Sequence, residues 1–384
     1  MLRWIGFTLV VLLVWAWSCP AQTADLADSA IRRGVAALYR AQTEPGHWEV
    51  VPVRNPQSSD WDVEGPQWGG RTALATYALL ASGERHTDPR LARAIDFLRR
   101  ADINGYYALA LRSQVWPLLP PTPENVNAAR RDLRLMIAGM KNTRGRADYG
   151  LFDYTINPRE RVDLSVSQYG VLAFWALDSV KGVGVPTDPV NYWAVFDRAW
   201  LSHQDPATGG WSYEGGARGI SASMTSAGVA SLFITQDYTR AADGLRCLGN
   251  LRHDAIDRGV ERLIAFWPAV LDSSGVPHRF YTLYGYERVG VASGLKFLGS
   301  HHWFADGVDF LSRAQLESGL WGDGVVDTSF ALLFLSRGRE PVAFNKARYH
   351  HASRDGTSVE ANWNQRPRDI ANATRFMGRM REQT

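Results

Sequence analysis

The chain has 384 residues, 45% hydrophobic and 21% charged, which is ample apolar sequence for a large buried core. A formal net charge of only +3, without a basic stripe interleaved with aromatics, excludes the electrostatic footprint of a nucleic-acid binder. With two cysteines, Cys19 and Cys247, a cysteine-rich metal site is excluded as well.

Arg3 precedes an apolar run from Trp4 to Trp17, and Cys19-Pro20-Ala21 offers a small-x-small cleavage site before Gln22. The run spans 14 residues, short for a membrane-crossing helix. Residues 1–21 therefore read as a secretory signal peptide. The protein is expected to be exported to the periplasm, the cell envelope or the medium, with membrane attachment only if this segment stays uncleaved. Cleavage after Ala21 leaves Cys247 alone, so no internal disulfide is expected.

Apolar periodicity then predicts helices in pairs. Ala27–Gln42, with Ile31, Val35, Leu38 and Tyr39 on one face, precedes Trp68–Ser82. Pro89–Arg100 precedes Gly105–Leu118, which prolines end. Asn125–Lys141 precedes Leu164–Val180, and Val190–Gln204 precedes Ser223–Thr235. Asp254–Trp267 precedes Phe280–Val291, and Trp303–Gln315 precedes Val326–Ser336. The first helix of each pair carries a charged face, as with Arg32, Arg33, Arg93, Arg130, Asp132, Asp257 and Glu261. The second is apolar or small nearly all round, as in Phe330-Ala-Leu-Leu-Phe-Leu335. A helix apolar on all sides is buried on all sides, so one ring of helices is enclosed by another.

A short phrase recurs where the outer helices end: Gln42-Thr-Glu-Pro-Gly-His-Trp48, Gln204-Asp-Pro-Ala-Thr-Gly-Gly-Trp211 and Gln315-Leu-Glu-Ser-Gly-Leu-Trp321. Gln42 and Gln204 are 162 residues apart, three units of 54, and Gln204 and Gln315 are 111 apart, two units of about 55. Tyr149-Gly-Leu-Phe152 stands where a degraded copy belongs. The period implies six hairpins closing into an all-α, α6/α6 toroid over residues 27–338. Residues 339–384 form a short irregular tail. Pro341-Val-Ala-Phe344 reads as extended, Asn345–Gly356 as polar, and a helix follows Pro367. This tail is expected to be held weakly. It is read either as the start of a missing further domain or as the end of a stand-alone toroid.

These phrases and the alternating helices resemble the terpenoid cyclase and protein prenyltransferase toroids, over about Ala27–Gly338. In squalene-hopene cyclase-like proteins the glutamine of such a phrase bonds backbone ends and the tryptophan stacks on it. The resemblance thus implies structural roles for Gln42, Trp48, Gln204, Trp211, Gln315 and Trp321. The physics agrees, because helix termini leave backbone groups that need partners. The family's chemistry is missing. A cyclase protonates with Asp-x-Asp-Asp, whereas Asp60-Trp-Asp62-Val63 lacks the final acid. A prenyltransferase holds zinc with Asp-x-Cys, whereas Leu245 and Arg246 precede Cys247. The thioester motif Cys-Gly-Glu-Gln of complement-type toroids is also absent. No cofactor and no metal are expected.

Polar residues at the inner-helix N-termini surround one mouth of such a ring and are the natural site candidates. They are Asp60, Trp61, Asp62, Glu64 and Arg71; Asn104, Tyr106 and Tyr107; Asp163 and Ser167; Ser223, Thr225 and Ser226; Tyr281, Tyr284, Tyr286, Glu287 and Arg288; and Asp327 and Thr328. Asp163 and Asp327 also stand where helix caps stand. Glu287 and Arg288 also fit a buried ion pair between helices. Asp60 and Asp62 are spaced for an acid–base pair, but equally for a solvated loop. His301-His302 reads as packing before a helix rather than as a metal site.

Three functions compete, since fold does not fix function. The first is a ligand- or protein-binding scaffold of the envelope, taking a lipid, an isoprenoid or a protein partner. The second is a glycan-active hydrolase or lyase. It would pair Asp60 or Asp62 with Asp163 or Asp327 across the mouth, or use Tyr281, Tyr284 and Tyr286 with Arg288. The third is a diverged terpene cyclase.

Overall fold

The computed structural model describes residues 20–155, 161–240, 253–272, 276–338, 350–353 and 355–360. Twelve α-helices lie among them, in the expected pairs. The outer helices are α1 (Pro20–Ala41), α3 (Pro89–Arg100), α5 (Pro123–Gly139), α7 (Tyr192–Ser202), α9 (Asp254–Asp272) and α11 (Trp303–Ala314). The inner helices are α2 (Gly70–Ala81), α4 (Tyr106–Ser113), α6 (Leu164–Ser179), α8 (Ala222–Thr239), α10 (Arg279–Ser293) and α12 (Val325–Gly338). The inner helices pack in sequence, α2 on α4, α4 on α6, α6 on α8, α8 on α10, α10 on α12, and α12 back on α2. The ring is closed, and its shape is the α/α toroid expected from the repeat.

Burial follows the two patterns in the sequence. In α1, Ala27, Ala30, Ile31, Ala37 and Leu38 are buried while Arg32, Arg33 and Arg40 face outward. In α6 every residue from Leu164 to Phe174 is buried. Caps set the helix starts: Asp88, Thr122, Asp163, Asn191, Ser221 and His302 each accept a backbone N–H of the first turn. His302 accepts from Ala305 through Nδ1 at 3.2 Å, so it does structural work before α11.

The recurrent phrases are clamps. Gln42 donates to Gly46 O at 2.8 Å and to Arg90 O, on the next outer helix, at 3.0 Å. Gln204 does the same for Gly209 and Ala255, both at 2.8 Å. Gln315 bonds Gly319 and, across the seam of the ring, Ala30 of α1 at 3.0 Å. Each tryptophan donates its indole N–H to its own outer helix: Trp48 to Leu38 O, Trp211 to Trp200 O and Trp321 to Leu311 O. In each clamp the tryptophan backbone N–H is taken by a threonine of the following inner helix, Thr72, Thr225 or Thr328. The degraded copy keeps this bond, with Phe152 N–H on Ser167 Oγ at 3.0 Å. Ser167, Thr225 and Thr328 were mouth candidates; their hydroxyls are instead part of the repeat.

Two helices end differently from expectation. The segment predicted as Gly105–Leu118 breaks after Ser113, and a short 3-10 turn, Trp116–Leu118, completes it. Conversely α9 runs through Pro268 to Asp272. Pro268 is exposed, so the carbonyl it leaves without a donor lies on the solvent side.

A hairpin of β1 (His350–Ala352), in the stretch read as polar, and β2 (Ser358–Glu360), just after it, pairs His350 with Glu360 in antiparallel register. The expected signal peptide up to residue 19, and the segments expected to be extended and helical in the tail, lie outside the described residues; Pro20 and Ala21 begin α1. Among the described residues no helix is long and apolar enough to cross a membrane.

Candidate functional site

The N-terminal turns of the inner helices bring a connected set of aromatic and polar side chains to the ring axis. Tyr107, in the first turn of α4, donates to Ser165 Oγ at 2.5 Å. Ser165 bonds Asp163, which also accepts Tyr154 Oη at 3.2 Å and the Ser165 and Val166 amides. Asp163 is thus both the cap of α6 and the hub of this wall. Tyr107 packs at 5.8 Å from Tyr154 and 5.1 Å from Tyr169, and Tyr169 stacks on Tyr281 at 6.3 Å. Tyr281 meets Phe330 of α12 edge-on at 5.6 Å.

A second feature links two helices that are not adjacent. Gln168 of α6 donates to Tyr281 Oη of α10 and accepts from Arg288 Nη2 at 2.5 Å. Helices α6 and α10 are not neighbours in the ring, since α8 stands between them. The Gln168–Arg288 bond therefore joins, across the interior, two helices that α8 separates on the ring. Arg288 also lies over the Tyr284 ring, 5.0 Å from its centroid.

Burial sets the ionisation of the mouth. It holds the phenols of Tyr107, Tyr169 and Tyr281 well above the ordinary tyrosine range. Burial, with the Asp163 charge, pushes Tyr154 up to about 12. These tyrosines are neutral hydrogen-bond donors and poor bases at ordinary pH.

The structure gathers some predicted residues here and disperses others. Tyr281, Tyr284, Arg288, Tyr107 and Asp163 come together. Tyr286 does not: its ring packs on Trp267 at 4.7 Å and its hydroxyl donates to Leu263 O of outer helix α9 at 2.8 Å. Glu287 is buried, 1% exposed. Arg71 is committed to Trp48 O at 3.0 Å. Asp62 closes a turn by accepting Glu64 N–H, and Trp61 stands 60% exposed on the same loop. Asp60 lies 4.0 Å from Arg161, which pairs more closely with Asp153 at 3.0 Å. Asp327, at the start of α12, accepts Asp323 N–H at 2.9 Å, and burial raises its carboxyl above the usual range. The residues that sequence reasoning missed are Gln168, Tyr169, Tyr154 and Phe330. Gln168 did carry a signal, as a long polar side chain buried in the middle of an inner helix.

Neither a protein-family model nor a curated protein sequence matches the chain. Solved structures do. A variant of the type II terpene cyclase MstE from Scytonema, in complex with its substrate geranylgeranyl dihydroxybenzoate, aligns with a TM-score of 0.50 at 13% identity, over 84% of this chain and 99% of that one. This chain has a terpenoid cyclase-like fold. A second substrate-bound variant of the same enzyme gives 0.49 at 12% identity, over 83% and 99%. At such identities the likeness describes the toroid alone.

Proposed function

We propose that this protein is an exported toroid that binds an apolar ligand of the lipid or isoprenoid class at its axial mouth, as a scaffold rather than a catalyst. One observation carries the reading: the mouth is walled by neutral aromatic side chains from successive inner units, while its carboxylates are engaged. Asp163 caps and bridges, Asp62 closes its turn, and Asp60 lies beside Arg161. Buried tyrosines with raised pKa are unsuited to the proton abstraction that a lyase needs. The related fold of a cyclase that holds a geranylgeranyl-bearing substrate supports the ligand class.

The test is native mass spectrometry of the protein purified from its own host without detergent, followed by titration with farnesol. A retained adduct of lipid mass, or uptake of farnesol, is expected. An adduct of sugar mass would replace this reading with the glycan-active one, and an apo mass with no farnesol uptake would leave it without a ligand. One residue favours a second reading, a diverged cyclase. The raised carboxyl of Asp327 is suited to giving up a proton, so turnover of a polyprenyl substrate that vanishes in Asp327→Asn would establish that reading instead.

A further inference from the structure

The Gln168–Arg288 lock leaves donors unused. Arg288 spends one Nη2 hydrogen on Gln168, but its Nε and Nη1 are buried and make no hydrogen bond. Guanidinium has no acceptor capacity, so only an acceptor can satisfy those groups. Tyr169 adds to the demand. Its side chain is 1% exposed and its hydroxyl has no partner. It stacks on Tyr281, which shares Gln168 with Arg288. Leaving a charged donor unpaired in such a place is strongly unfavourable.

A surplus of donors around a fixed positive charge has one natural complement, a pair of oxygens sharing negative charge, which guanidinium grips through two parallel bonds. Resting on the binding role proposed above, we infer that the ligand carries an anionic oxygen head group, a carboxylate or a phosphate, which Arg288 and Tyr169 hold at the ring axis. The apolar body then lies along Tyr107, Tyr281, Tyr284 and Phe330. In this arrangement the phenyl and phenol faces supply affinity and the arginine supplies selection between heads.

The experiment is calorimetric titration of the full chain with farnesol, farnesoic acid and farnesyl monophosphate, repeated with oleyl alcohol and oleic acid. Within each tail the anionic ligand is expected to bind at least about tenfold more tightly than the alcohol. Whichever of the two acids is preferred identifies the head. Arg288→Gln is expected to erase that preference, and Tyr169→Phe to reduce it by about threefold. Tyr169→Phe, which keeps the ring, remains informative if Arg288→Gln does not fold. Equal affinity for acid and alcohol would overturn the head-group inference and leave apolar binding standing, a water then satisfying Arg288. Failure of every probe to bind would overturn both.

Discussion

Trp321 gives its backbone N–H to Thr328 Oγ1 at 2.9 Å, and both residues are fully buried. No water can replace that acceptor, so Thr328→Val should cost about 1–3 kcal/mol, read as a lowered urea midpoint, while Thr328→Ser should recover most of it. The matching bond at Trp211 is longer, 3.3 Å to Thr225, so Thr225→Val should cost less. Equal losses at the two sites would mean that side-chain volume, not the hydrogen bond, sets the effect. The mouth tyrosines make a prediction about pH. Tyr154 shifts from 10.0 to about 12 on folding, and Tyr107 and Tyr281 shift upward for the same reason, burial. A raised pKa means that the folded protein keeps protons which the unfolded chain has released. Their contribution is therefore fully present below pH 10 and lost as pH rises through 12. The urea midpoint should fall across that window, and part of the phenolate absorbance should appear only with unfolding. Full phenolate absorbance at pH 10–11 in a still folded protein would contradict this.

At the scale of the element, the second unit lacks a Gln-Gly-Trp phrase and uses a buried ion pair instead. Arg112 of α4 grips Asp132 of α5 with Nε and Nη2 at 2.9 and 2.6 Å, while Nη1 bonds Leu98 O and Ala101 O at the end of α3. Trp116 donates its indole N–H to the same carboxylate at 2.8 Å. One network thus ties three helices and the 3-10 turn, and the Trp116–Leu118 turn follows directly where α4 breaks. Asp132→Asn should cost about 3–5 kcal/mol by leaving buried Arg112 without its counter-charge, whereas the double change Arg112→Met, Asp132→Leu should recover much of that loss. A double variant as unstable as the single one would show that the pair contributes through geometry that apolar packing cannot replace. This network also marks what the sequence could convey. Periodicity revealed the outer helices, because an amphipathic stripe is local. All-round apolarity revealed the inner ones, and the glutamine phrases gave the repeat. Helix caps such as Asp163 were legible for the same local reason. The anchoring of the turn after α4 depends on Asp132, on another helix, and was not. The axial lock was equally hidden, since Gln168 and Arg288 are 120 residues apart and neither belongs to a motif. Tyr286 was misplaced because two residues along a helix turn a side chain from the axis to the outer wall.

For the whole molecule, the decisive property is closure. An open array of hairpins frays from its ends, since each unit contacts only its neighbours. Here the last unit meets the first: Gln315 bonds Ala30 O, Arg33 bonds Leu316 O at 2.8 Å, Arg40 bonds Ser318 O at 2.6 Å, and Ser82 meets Ser336 at 3.0 Å. The seam is built like an interior joint. Gly319, with φ of 86°, lies against α1 so closely that a Cβ would come 2.6 Å from Arg33 O. Gly209, with φ of 72°, lies against α9 in the same way, and its Cβ would come 2.9 Å from Arg258 O. Alanine at either place meets both a left-handed backbone, costing about 1–2 kcal/mol, and a contact with backbone that cannot yield cheaply. In a closed ring these two joints are equivalent, since breaking either one yields an open array of the same six hairpins. Gly319→Ala and Gly209→Ala should therefore destabilise to within about 1 kcal/mol of each other and keep a single urea transition. Hydrogen exchange should then rise around the whole ring in both variants. If Gly319→Ala instead exposed α1 and α11 alone, with the other helices still protected, the seam would be a loose end and the axial lock between α6 and α10 would have to hold the interior by itself.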